Sequence, residues 1–100
     1  MYRGTTPTIS LTVNGLSELQ IHSAYLTIKQ GGKVIEKIAD DITIDGDSLK
    51  ATLSQTETLG FEAGLNVSIQ LRVLTKSSTA YATKVLKVPV EEVLKDGEIT

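Results

Sequence analysis

One histidine, His22, twelve acidic side chains and no cysteine are the raw material for any chemistry in this 100-residue chain. The lack of cysteine excludes disulfides, thiolate metal sites and thiol nucleophiles. A catalytic triad needs three placed groups. His22 lies in a segment that alternates like a β-strand, where a single histidine reads as a packing or surface residue. The densest carboxylates are Asp40, Asp41, Asp45 and Asp47. Calcium requires six to eight oxygen ligands from a loop folded around it. Here Ile42 and Ile44 alternate with the acids, which reads as a strand, and Asp45-Gly46-Asp47 reads as a hairpin tip without EF-hand spacing. No metal site is expected, and Asp40–Asp47 is the one stretch that would suit a weak Ca²⁺ site.

The remaining motifs have structural readings. Gly31-Gly32-Lys33 echoes a phosphate loop, but GxxxxGK[ST] is absent and no helix follows. Asn66-Val67-Ser68 spells a glycosylation sequon without a secretory signal. Ser77-Ser78-Thr79 is a polar loop, and no serine sits in a nucleophile elbow. The aromatics are Tyr2, Tyr25, Phe61 and Tyr81, with no tryptophan. Tyr25 and Tyr81, taken as facing outward, would make a small patch for a sugar, although cross-strand filling is the commoner use of such residues. No catalytic residue and no cofactor are expected, and the chain reads as a non-enzyme.

The elements that would position these residues are strands. Thr8–Val13 alternates, with Ile9, Leu11 and Val13 on one face, and Asn14-Gly15 ends it. In Ile21–Gln30, His22, Ala24, Leu26 and Ile28 share a face opposite Ser23, Tyr25, Thr27 and Lys29. Gly31-Gly32 is a two-residue hairpin into Lys33–Ala39, and Asp40-Asp41 breaks the chain before Ile42–Asp45. Asp45-Gly46 is a favoured type I′ hairpin pair leading into Ser48–Ser54, which carries Leu49, Ala51 and Leu53 inward. Thr56–Leu59 suits one helical turn capped by Ser54 or Thr56, with Leu59 and Phe61 plugging the core. Leu65–Thr75 is the longest alternating strand. Lys76–Ala80 is a polar turn, and Tyr81–Val90 closes the domain with its buried face ambiguous and Pro89 at an edge.

About seven short strands with regularly spaced turns predict an all-β fold, an antiparallel immunoglobulin-like β-sandwich. One domain is expected over residues 1–100, with its core at about 8–90, an N-terminal arm at 1–7 and a C-terminal tail at 91–100. In that tail Val90, Val93 and Leu94 suit a single helical turn.

Apolar residues make up 40% of the chain and charged ones 22%, a globular balance. The net charge of −2 is spread singly, with no basic cluster for phosphates, so nucleic acid is not an expected partner. No apolar run is long enough for a membrane helix and Met1–Gly15 lacks a signal-peptide core, so a cytoplasmic protein is expected. Terminal apolar residues must dock on their own domain or on a partner. Tyr2, Arg3, Val93, Leu94 and Ile99 are therefore the candidate partner contacts.

Five segments carry a family resemblance: Arg3-Gly4-Thr5-Thr6-Pro7-Thr8, Tyr25–Gly32, Leu53–Leu59, Ile69–Leu74 and Leu94–Ile99. Together they resemble short structural proteins of phages and prophages of Gram-positive bacteria. The pattern is also loosely similar to the N-terminal Ig-like domain of siphophage baseplate upper proteins. The resemblance spans nearly the whole chain and brings no catalytic motif. It implies a virion or tail-assembly role through contacts with other protein subunits, often as an oligomer, in the host cytoplasm or carried in a virion. The long C-terminal extension of the baseplate proteins is missing, which argues against a direct adsorption role. The alternative is a small sandwich that binds carbohydrate or a cell surface.

Overall fold

A computed structural model describes residues 1–100. The alternating segments form eight strands: β1 (Thr8–Thr12), β2 (Ile21–Gln30), β3 (Lys33–Lys37), β4 (Ile42–Asp45), β5 (Ser48–Thr52), β6 (Asn66–Thr75), β7 (Ala80–Ala82) and β8 (Leu86–Pro89). They make two antiparallel sheets, β1-β5-β4 and β3-β2-β6-β7, with β8 also on β6. Placing β5 between β1 and β4, and β2 between β3 and β6, reproduces the B-E-D and C′-C-F-G neighbours of an immunoglobulin-like sandwich. The strand count is eight rather than about seven because the closing segment is split into β7 and β8.

Alternation places Ala24, Leu26 and Ile28 of β2 and Val67, Ile69, Leu71 and Val73 of β6 in the core. Leu49, Ala51 and Leu53 meet them from the other sheet, and Phe61 closes one end. Two hairpins depend on a glycine with positive φ at the first central position, as a type II′ turn requires: Gly31 (φ 55°) and Gly46 (φ 60°). The second turn is therefore Gly46-Asp47 between the paired Asp45 and Ser48, one residue later than the expected Asp45-Gly46 turn.

Two single-residue bulges explain where simple alternation failed. Ile21 opposes Thr75 and Ser23 opposes Leu74, so His22 is extruded from the ladder and exposed rather than sharing the inward face. From Arg72 to Ile69 strand β6 takes three steps while its partner takes four, from Ala82 to Leu86. Inward parity consequently switches from Tyr81, opposite Val73, to Leu86 and Val88, opposite Ile69 and Val67.

The helical turn is α1 (Gln55–Leu59), capped by Ser54. Thr58 is buried and Leu59 only half-buried, so Thr58 takes the inward place expected for Leu59. Leu65 is exposed just before β6 begins, and the tail after Val90 contains no helix.

Candidate interaction surface

Both chain ends converge on one end of the sandwich. The N-terminal ammonium donates to Pro89 O (2.7 Å), the Glu91 N–H donates to Met1 O (2.8 Å), and the Arg3 N–H donates to Glu91 O (2.9 Å). The arm thus lies parallel to the segment leaving β8, with Tyr2 bridged to Glu91. Extended backbone on both sides makes this pairing possible, and Pro89, which has only a carbonyl to offer, supplies the acceptor at its end.

Arg3 then reaches across the cap. Its Nε donates to Phe61 O (2.7 Å), its Nη2 to Leu59 O (2.9 Å) and its Nη1 to Glu92 Oε1 (2.8 Å). The planar fork suits three acceptors at fixed angles. Glu92 is mostly exposed, so that ion pair contributes little by itself. The contacts to the loop carbonyls are part-buried and matter more. The Arg3 hydrogen bond, with a second from the Val93 N–H, holds the Glu92 carboxyl below its ordinary value.

Three further ties fix the loops beneath this cap. Thr58 Oγ1 donates to Thr5 O (2.9 Å), so a buried hydroxyl fastens the arm to α1. Gln55 clasps the tail with both ends of its amide: Nε2 donates to Ile99 O (3.1 Å) and Oε1 accepts from the Ile99 N–H (2.8 Å). Gln30 does the same for the loop before β6, donating to Glu62 O and accepting from the Glu62 N–H.

Glu57 completes a capping box with Ser54: Ser54 Oγ accepts from the Glu57 N–H, and Glu57 Oε1 accepts from the Ser54 N–H. The Glu57 carboxylate also takes two hydrogen bonds from Lys37 Nζ, both 2.9 Å, tying β3 to α1. Burial pushes the Glu57 carboxyl up, but the Lys37 and Ser54 contacts together outweigh it and leave the group below its ordinary value.

The expected contact residues divide in two. Arg3 and Val93 are partly covered, and Arg3 spends its donors within the chain. Tyr2 and Ile99 are more than half exposed and Leu94 is fully exposed; Tyr2 lies in the arm paired with Glu91, and Ile99 is held by Gln55. The sequence reading missed Gln55, Thr58 and the positioning role of Arg3. Only the Ser54-x-x-Glu57 spacing carried a signal, and it selects Ser54 over Thr56 as the cap.

Elsewhere the candidate groups do not converge. No three His, Asp or Glu side chains come together as a metal cage. Asp47 accepts from the Ser17 N–H (2.9 Å), which lowers its carboxyl below the ordinary value and anchors the 3₁₀ turn Leu16–Glu18. Tyr25 pairs with Arg72 on the outer face of its sheet, whereas Tyr81 pairs with Val73 on the inward face. The two rings therefore form no common patch, contrary to the reading that put both outward. Tyr81 instead lines a groove of about 350 Å³ between the sheets, with Val13, Leu16, Leu19, Leu71 and Val73.

No protein-family model matches the chain, and no curated protein is significantly similar to it.

Proposed function

We propose that this chain is a non-enzymatic structural module of a phage or prophage particle, acting in virion or tail assembly through contacts with other protein subunits. The terminal cap carries this reading. Tyr2 and Ile99 present apolar surface to solvent on backbone tied by the arm pairing and by Gln55, and Leu94 is fully exposed between these ties. Side chains held on a fixed framework lose less freedom on binding than side chains on a loose tail, which favours a docking role. The phage attribution rests on the sequence resemblance, and the location it implies is the host cytoplasm or the virion.

The test is quantitative mass spectrometry of particles released from the host after prophage induction. The chain is expected in the particles, or in their assembly intermediates, at several copies each. Its absence from both would contradict the reading. The carbohydrate-binding alternative is less favoured because Tyr25 and Tyr81 lie on opposite faces of their sheet.

A further inference from the structure

We infer that the open seam of the sandwich binds the β4 edge of a second copy of this chain, head to tail; the inference rests on the assembly role proposed above and names one partner for it. The seam lies between two edge strands. On one side β1 ends its sheet, paired only with β5. On the other, β7 and β8 end theirs, and the residues that line the seam join Leu11–Val13 to Thr83–Leu86. Tyr81 and Leu86 point inward by register, yet each stays about half exposed (50% and 46%) because the three-stranded sheet stops short of covering them. An inward apolar face bordered by unpaired backbone is suited to an added strand.

Charge selects the occupant. Lys84, in the slip before β8, and Lys87, within β8, bracket Val85 and Leu86 at this edge, and neither is in an ion pair. At the opposite side of the sandwich β4 also ends its sheet; Asp45 closes the strand beside the exposed Ile44, Asp41 ends the 3₁₀ turn just before it, and neither acid is in an ion pair. A two-fold contact of β8 on β8 would set lysine against lysine, and β4 on β4 aspartate against aspartate. Of these three pairings, β4 on β8 is the one that joins opposite charges, and it brings Ile44 to the apolar seam. Such a contact uses different surfaces on the two copies, so it extends into a ring or a filament rather than closing as a dimer.

Sedimentation velocity on the full chain across a range of concentrations tests this. Association should grow with concentration and weaken near about 1 M salt, where charges are screened within roughly 3 Å. The pair Lys84→Glu with Lys87→Glu should weaken self-association more than about tenfold, and so should Asp41→Lys with Asp45→Lys, because each sets like charges face to face. Mixing the two variants restores opposite charges at both contacts, so the mixture should associate although neither variant does alone. Circular dichroism checks that both remain folded. A strict monomer, association unchanged in both variants, or a mixture that stays monomeric would each overturn the inference. So would occupancy of the seam by a different protein without self-association. Incorporation into particles through Leu94 and Ile99 is read separately, so a monomeric chain still found in particles would overturn this inference and leave the assembly role standing.

Discussion

Between β2 and β6 the chain is held by a continuous apolar face: Ala24, Leu26 and Ile28 pack with Val67, Ile69, Leu71 and Val73, and every backbone step is in register after the bulge at His22. At the terminal cap Phe61, Thr58 and Val90 are buried, but the order of the arm and tail over them comes from side chains that reach backbone groups far along the sequence. Arg3 spans to Leu59 and Phe61, Gln55 to Ile99, and Thr58 to Thr5. The first region has one orientation because apolar area admits no other register. The second has one orientation because each carbonyl it covers needs a donor. The difference supports different work for the two regions under the proposed function: the paired strands supply stability, and the cap presents its exposed apolar residues Tyr2, Leu94 and Ile99 for contact.

Truncation in the core should have the largest effect. Leu26 is fully buried, so Leu26→Ala is expected to cost about 2–5 kcal/mol in urea unfolding. A cost below 1 kcal/mol would mean that the β2–β6 contact does not dominate the fold.

Arg3→Ala comes next, at about 1–3 kcal/mol, because it leaves the Leu59 and Phe61 carbonyls without their donor. Arg3→Lys should recover little of this, since an ammonium cannot reproduce the fork. Hydrogen exchange should show loss of protection confined to the cap; loss spread evenly over β2 and β6 would erase the distinction between the regions.

A smaller effect is expected from pH. The Glu57 carboxyl is depressed in the folded chain, so its contribution is present above the ordinary value of 4.5 and is lost as pH falls through the lower folded value. Stability should therefore drop on acidification below about pH 4.5, and Glu57→Gln should flatten that part of the profile. An unchanged acid limb in the variant would remove Glu57 as a contributor.

The same contrast explains what was legible in the sequence. Period-two alternation marked β1, β2, β5 and β6 and most of the core, and Gly31 and Gly46 marked two hairpins, because these follow from local geometry. The bulges at His22 and at Thr83–Val85 were not legible, since a one-residue slip depends on the partner strand rather than on the segment itself. That slip is why the burial of Tyr81 and Leu86 was ambiguous. In the cap, the terminal residues were identifiable as unusual, but which of them are spent internally was not. Arg3 finds its acceptors 56 and 58 residues away, and no periodicity encodes such a pairing.

Leu94 and Ile99 offer the most direct test of the central claim, that the cap is a contact surface and not part of the stability core. Leu94→Asp combined with Ile99→Asp should leave the free energy of urea unfolding within about 0.5 kcal/mol of the parent, as expected for exposed positions. Counted by quantitative mass spectrometry in particles from induced host cells, the same variant should be depleted at least about tenfold relative to the parent chain, the loss expected when charge replaces apolar contact residues. Incorporation at the parental level with unchanged stability would contradict the account.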